Sequence, residues 1–202
     1  MSVAAPLEAL ATPAQLADGE VYRGLLVQAN EGMNLVGPAT LEDFWRRHFL
    51  DSAQLTAVAP EARVWADLGA GAGLPGLVLA ILLKGQAGAQ VHLVESQAKK
   101  CRFLAEVAAA LELPVTIHNA RAESLKLAVE VVTARACAPL VRLLGYAEPF
   151  FRRGARGIFL KGEGVEGEIL EARRAWRFTS ASRPSLSDER GRILELTDLA
   201  HV

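Results

Sequence analysis

The sequence has 202 residues, 51% of them hydrophobic and 22% charged, which suits one compact domain with a sizeable core and excludes a disordered polymer. Thirty-five residues are alanine, so much of that core is expected to be small and helix-packed. Twenty-two Lys and Arg against 23 Asp and Glu leave a net charge of −1, which excludes a broad electrostatic grip on nucleic acid but not a local basic patch.

The two cysteines, Cys101 and Cys137, have no CxxC spacing, so neither a disulfide framework nor a thiolate metal site is indicated, and no metal is expected. The first twenty residues hold no Lys or Arg and lack the pattern of a signal peptide. The longest apolar run, residues 74–83, contains Pro75 and Gly76 and falls well short of the roughly 20 residues that span a bilayer. These features predict a soluble cytoplasmic protein.

Along the chain, residues 7–60 read as helical. Leu41, Phe44, Trp45, His48, Phe49, Ser52 and Leu55 recur at helix-like spacing. Gly37 and Pro38 interrupt the pattern, and Thr40 with Asp43 three residues later predicts a helix N-terminus. From Val64 onward short apolar strands alternate with longer helical stretches. Strands are predicted at 64–68, 91–94, 115–118, 131–134 and 157–160, and weaker ones near 176–181 and 192–197. Helices are predicted at 77–83, 99–111, 140–151 and 163–177. Such alternation implies βαβ units and a doubly wound, mainly parallel α/β sheet of the Rossmann-like type. The expected organisation is an N-terminal helical extension over residues 1–60 and an α/β domain over 61–202, forming one structural unit.

The strongest motif is Asp67-Leu68-Gly69-Ala70-Gly71-Ala72-Gly73-Leu74-Pro75-Gly76. Gly71, Gly73 and Gly76 satisfy the dinucleotide spacing GxGxxG, so a nicotinamide or flavin site must be weighed. In such a site the turn faces a pyrophosphate, which the carboxylate of Asp67 would repel. Asp67 instead suits a ligand carrying positive charge near the turn. S-adenosylmethionine has an ammonium, a sulfonium and no phosphate, and the glycines let backbone approach it closely. Nineteen residues past Gly76, Glu95 ends the second strand, where an acid accepts hydrogen bonds from a ribose diol. Ala122 and Glu123 follow the third strand, where methyltransferases of this architecture commonly hold the adenine edge.

Arg135 follows the fourth strand, beside the crevice that doubly wound folds use for ligands. The segments expected of exocyclic-amine and pyrimidine-carbon methyltransferases are missing there. Cys137 lacks the Pro-Cys context of a nucleophile and reads as a small apolar residue. His48 has the form of a general base, but its aromatic neighbours Trp45 and Phe49 favour a structural or RNA-contacting role. Arg46, Arg47, His48, Arg135 and Lys161 are the candidates for RNA contact.

Several segments together resemble one family, the glucose-inhibited division B proteins, which are bacterial class I methyltransferases acting on a guanine N7 of 16S ribosomal RNA. They are residues 34–37 (NLVG), 47–52 (RHFLDS), 67–76 (DLGAGAGLPG), 95–96 (ES) with 99–104 (KKCRFL), 122–123 (AE), 134–136 (ARA) and 160–162 (LKG). The resemblance covers about residues 21–170. It implies that Gly69, Leu74, Ala122, Glu123 and Arg135 contact S-adenosylmethionine, with Gly71, Gly73 and Glu95 close by and S-adenosylhomocysteine as product, beside the Asp67 already assigned to the cofactor from its place before the glycine loop. It also implies a seven-stranded-type sheet and a 16S ribosomal RNA partner within a small-subunit particle, with the enzyme expected to act as a monomer away from membranes.

Guanine N7 carries an in-plane lone pair and no proton, so in-line methyl transfer needs no general base and no catalytic residue beyond positioning. Two features depart from the family pattern. The segment between strands three and four is short, and the tail after residues 190–196 ends soon in 198–202. Competing readings are a methyltransferase acting on another RNA, a protein or a small molecule, and a non-catalytic RNA-binding assembly factor on the same fold. Residues 1–45 carry one basic and six acidic side chains, and residues 46–103 seven basic and four acidic. That asymmetry predicts a small basic patch around Arg46, Arg47, Lys99, Lys100 and Arg102, with salt-sensitive affinity for RNA.

Overall fold

The computed structural model describes residues 3–202. The N-terminal third is helical, as the sequence predicts, but divided into one long helix and several short pieces. These are α1 (Ala4–Leu10), α2 (Pro13–Met33), α3 (Pro38–Leu41), one π-helical turn (Trp45–Leu50), α4 (Asp51–Ala53) and α5 (Leu55–Val58). Thr12 caps α2 with a reciprocal box to Gln15, and Pro13 opens the helix. Thr40 does not start a helix. Pro38 opens α3 after Gly37, because proline is pre-set for a first helical position. The Thr40 hydroxyl donates instead to Gly37 O at 2.7 Å.

The remainder alternates β1 (Val64–Leu68), α6 (Gly76–Leu83), β2 (Gln90–Glu95), α7 (Ala98–Ala110), β3 (Val115–Asn119), β4 (Val131–Arg135), α8 (Leu140–Phe151), β5 (Arg156–Lys161), α9 (Val165–Ala172), β6 (Trp176–Pro184) and β7 (Arg192–His201). The helix predicted over 163–177 is shorter than expected. It ends at Ala172, because Trp176 is buried, donates from its indole to Val141 O and begins β6. The two weaker strands are long and pair antiparallel from Trp176–His201 to Pro184–Arg192, so the tail forms a strand reaching His201.

The seven strands lie in the order β3-β2-β1-β4-β5-β7-β6, with β7 the antiparallel member against β5. Chain order runs outward from β1 to β3, then returns to β4 on the other side of β1. Ligands of doubly wound sheets bind beyond the strand C-termini at such a reversal. One sheet face buries Trp65, Val91, Leu93, Val131 and Ile158 against the N-terminal helices, α6 and α7. The other buries Ala66, Val94, Val132, Phe159 and Leu194 against α8 and α9. Every residue of α6 is buried, so this helix is apolar all round. The N-terminal residues Tyr22, Leu26, Phe44 and Phe49 are fully or almost fully buried in the same cluster as α6.

Candidate active site

The loop leaving β1 takes left-handed backbone at Gly69 (φ 70°), Gly71 (φ 55°) and Gly73 (φ 90°), a conformation that only glycine adopts without strain. The loop hangs from β2, since Val94 O accepts from the N–H groups of Gly69 (2.9 Å) and Ala70 (3.0 Å). The N-terminal segment holds it from the other side, where the buried Tyr22 hydroxyl donates to Ala72 O at 2.7 Å. A side chain added at Gly69 would meet Cys137 Sγ at 2.7 Å, whereas one at Gly71 meets nothing closer than Gly69 O at 3.6 Å. Open space therefore lies above Gly71.

Asp67 is 1% exposed and acts from beneath this loop. Its Oδ2 accepts from Gly76 N–H at 2.9 Å, fixing the start of α6. Burial raises its pKa to about 7. Its Oδ1 is buried with no partner among the described residues, an acceptor left over for a cationic neighbour. Glu95 is anchored by Gly71 N–H on Oε2 (3.0 Å) and Gln97 N–H on Oε1 (2.8 Å). Each carboxylate oxygen keeps a further lone pair, which suits a ribose hydroxyl. Asn119 donates to the main-chain oxygens of Glu95 and Ser96 and joins the ends of β2 and β3. Leu74 is buried in the same loop, and Ala122 and Glu123 lie in a 3-10 turn after β3 with Glu123 exposed. Left-handed glycines, an unpartnered buried acid and an anchored diol acceptor fit S-adenosylmethionine.

Beside the loop, a cleft of about 850 Å³ opens at the C-terminal ends of β4 and β5. Its walls include Thr40, Arg47, His48 and Asp51 from the N-terminal segment, Arg135 at the end of β4 with Ala136 after it, and Lys161 at the end of β5. Residues 185–192 close the far side, excepting Leu186 and Glu189. The π-turn positions Arg47 and His48 here, and such single turns recur at functional sites.

Arg135 is the hub of the cleft. Its guanidinium donates to Arg47 O (2.9 Å) and to His48 Nδ1 (3.2 Å from each terminal nitrogen), and lies 3.4 Å from Asp51 Oδ2. With Nδ1 accepting, the His48 proton sits on Nε2, which faces Thr40 Oγ1 at 3.0 Å. Burial, followed by the Arg135 charge, lowers the His48 pKa to about 4. The ring is neutral at physiological pH and has no free nitrogen with which to act as a base.

Three other candidate cations are also engaged. Arg46 pairs with Asp43, Arg47 lies 3.4 Å from Asp188, and Lys161 lies 2.6 Å from Glu168. Glu168 also accepts from Leu140 N–H at the start of α8. Lys99, Lys100 and Arg102 sit on α7 and do not line the cleft, and Lys99 donates to Gly32 O. The structure therefore separates the basic patch expected from sequence into two groups. Cys137 is half-buried against Gly69, and burial raises its thiol pKa, which leaves it protonated. No cluster of three or more His, Cys, Asp or Glu suited to a metal occurs among the described residues. No helix among them is long and apolar enough to cross a membrane.

Sequence reasoning missed Asp51, Gln54, Ser187, Glu168 and Tyr22 as parts of this site. The RHFLDS segment pointed to Asp51 only as part of a resemblance, and nothing local signalled the other four.

The family model of rRNA small subunit methyltransferase G matches residues 15–194. The chain belongs to that family. A protein of Caulobacter vibrioides (strain NA1000 / CB15N) named ribosomal RNA small subunit methyltransferase G is 64% identical over 192 residues, covering 95% of this chain and 89% of the relative. A protein of Methylorubrum populi with the same name is 47% identical over 186 residues, covering 91% and 88%. Among solved structures, magnesium protoporphyrin IX methyltransferase from Synechocystis PCC 6803 with bound S-adenosylmethionine is similar with a TM-score of 0.60 at 16% identity, covering 92% of this chain and 97% of that one. An S-adenosylmethionine-dependent methyltransferase from Aquifex aeolicus aligns with a TM-score of 0.58 at 15% identity, covering 86% and 98%. These distant structures support the Rossmann-like methyltransferase fold of this family member.

Proposed function

We propose that this chain transfers a methyl group from S-adenosylmethionine to N7 of a guanine in 16S ribosomal RNA, acting as a cytoplasmic monomer on a small-subunit particle. The observation that carries the reading is the packing of the left-handed Gly69 turn against Cys137, two residues past Arg135 in the lining of the cleft, in a chain of this family. S-adenosylmethionine supplies an electrophilic methyl group on a sulfonium. Gly69, Gly71, Gly73 and Leu74 form the close-approach surface for it, Glu95 offers acceptors to the ribose, and Ala122 and Glu123 stand at the adenine side. Asp67 shapes the loop from below, and a cation bound beside its unpartnered Oδ1 would favour the ionised carboxylate.

The residues of the cleft orient a base and do not move a proton. Guanine N7 has a lone pair ready to attack, so holding nucleophile and methyl in line supplies the acceleration. His48, neutral and bonded at both nitrogens, supports that division of labour. Arg135 stands where a guanine O6 or a phosphate can be engaged while N7 stays free. Purified protein, labelled S-adenosylmethionine and unmethylated small subunits test the reading. The expected result is one methyl group per particle, at a guanine N7, and methylation of any other atom overturns it. Calorimetry with S-adenosylhomocysteine is expected to show binding that Gly69→Asp abolishes.

A further inference from the structure

The charge pairing in the cleft leaves a residue whose role nothing above assigns. Arg47, Arg135 and Lys161 each face a carboxylate, namely Asp188, Asp51 and Glu168. Arg192 donates to the carbonyls of Glu189 and Gly191, and so ties its own loop together. Arg190 also lines the cleft, but its guanidinium has no hydrogen bond or ion pair among the described residues, and the residue is exposed. Its backbone N–H donates to Asp188 Oδ1 at 2.9 Å. That bond, together with the nearby charges of Arg47, Arg190 and Arg46, holds the Asp188 carboxyl below its ordinary range. One ionised acid therefore sits among three arginines, and the surplus charge is carried by Arg190.

The segment presenting Arg190 is closed on itself and latched to the N-terminal helices. Ser185 N–H donates to Gly191 O (3.1 Å) and Gly191 N–H to Asp188 O (2.9 Å). A side chain on Gly191 would strike Ser185 Cβ at 2.8 Å, so the loop closes tightly at that point. Gln54 accepts from Leu186 N–H (2.7 Å) and donates to Ser185 Oγ (2.9 Å), while Ser187 Oγ donates to Asp51 Oδ1 (2.6 Å). A loop ordered before binding loses little entropy when it meets a partner.

We propose that residues 185–191 form the RNA-gripping rim of the cleft and that Arg190 contacts a phosphate of the substrate RNA. A guanidinium matches phosphate geometry with two parallel donors, and Arg190 has no internal carboxylate to give up on binding. The inference rests on the RNA-methyltransferase reading above. It makes Arg190 a substrate-affinity residue, distinct from the cofactor loop and from the Arg135–His48 hub.

The test compares wild type with Arg190→Ala, Arg190→Glu and Arg190→Lys. Binding of the protein with S-adenosylhomocysteine to small subunits is measured across salt concentrations, in parallel with methylation kinetics. Arg190→Ala is expected to raise KM about tenfold, the effect of one charged hydrogen bond, with kcat and S-adenosylhomocysteine affinity unchanged. Its salt slope is expected to fall by about one. Arg190→Glu should weaken binding further and Arg190→Lys should restore most of it. Gln54→Ala, which leaves the charges in place and frees the loop, should raise KM less and keep the wild-type slope. An unchanged slope and KM in Arg190→Glu, or a loss of cofactor affinity in Arg190→Ala, overturns the inference. Wild-type protein that binds subunits with the expected slope but methylates no guanine N7 defeats the functional reading instead and leaves the binding result to decide the role of Arg190.

Discussion

Arg135 at the end of β4 donates from both terminal guanidinium nitrogens to Nδ1 of His48, 87 residues away in sequence. This contact couples the strand-end crevice of the sheet to the π-turn of the N-terminal segment. It also fixes the chemistry of the imidazole, because a cation on Nδ1 excludes both protonation there and the opposite tautomer. The neutral His48 that results agrees with a reaction in which no proton has to be removed.

The tautomer is directly measurable. Nitrogen-15 spectra of the folded protein are expected to show His48 carrying its proton on Nε2 down to about pH 5, consistent with a pKa of about 4. The pH profile of kcat should then contain no inflection from His48 between pH 5.5 and 8. A protonated Nδ1 near neutral pH, or an inflection removed by His48→Gln, contradicts the arrangement.

Two buried groups pull the pH dependence of stability in opposite directions. Asp67 titrates at about 7 in the fold against an ordinary 3.8, so the folded state holds the extra proton between these values. Its contribution is present below pH 4 and is lost as pH rises through 7. His48 titrates at about 4 against an ordinary 6.5, so its contribution is present above pH 6.5 and is lost as pH falls through 4. Between pH 4.5 and 6.5 the two slopes largely cancel. Asp67→Asn retains an acceptor for Gly76 N–H and removes the falling branch. Denaturant titrations should therefore show that variant gaining stability with pH across this window, by up to about 1.4 kcal/mol per pH unit. A variant with the same slope as wild type contradicts the raised pKa of Asp67.

Much of this fold was legible because its signals are local. Alternating apolar runs marked five parallel strands within a residue or two of their ends, and the glycine loop carried its left-handed turns in its own spelling. Glu95 was legible from its position at a strand end. The rest depended on contacts far apart in sequence. Ser187 reaches Asp51 across 136 residues and Gln54 reaches Ser185 across 131, and no local pattern encodes such partners. The helix predicted over 163–177 overran for a related reason. Propensity carries it forward, while the burial of Trp176 and its pairing with β7 end it.

Gly69 and Cys137 should show strong coupling. A methyl group at Gly69 meets Cys137 Sγ at 2.7 Å while the backbone there is left-handed. Gly69→Ala is expected to cost about 1–2 kcal/mol from backbone conformation alone, with a further loss from the collision. Gly71→Ala should cost only the conformational part, because its space is open. Cys137→Ala should recover the collision part for Gly69→Ala and change nothing for Gly71→Ala. A double-mutant cycle by denaturant unfolding reads this directly.

Lys161 is the least exposed charged side chain among the cleft ion pairs, 9% exposed against 30% for its partner Glu168. Glu168→Gln leaves the ammonium without its counter-charge and weakens the acceptor for Leu140 N–H. The expected destabilisation is about 2–4 kcal/mol, below the range for a fully buried pair because the carboxylate is partly solvated. Lys161→Met in the Glu168→Gln background should recover most of it. Equal losses in the single and double variants would mean that the helix contact, not the charge pair, carries the stability.

Asp51 separates charge from architecture. It faces Arg135 at 3.4 Å through Oδ2 and accepts from Ser187 Oγ at 2.6 Å through Oδ1, so one carboxylate both neutralises the hub arginine and latches the rim loop. Asp51→Ala loses both functions and is expected to cost about 1–3 kcal/mol, the range for unsatisfied partners of a partly buried acceptor. Asp51→Asn keeps an oxygen for Ser187 and removes the charge. That variant should stay within about 1 kcal/mol of wild type in stability. It adds one net positive charge to the cleft, so it should bind small subunits more tightly at low salt, with a steeper salt dependence. Weaker binding by a stably folded Asp51→Asn would mean that the Asp51 charge positions Arg135 for its substrate contact, and that neutralising it costs more than the added attraction supplies.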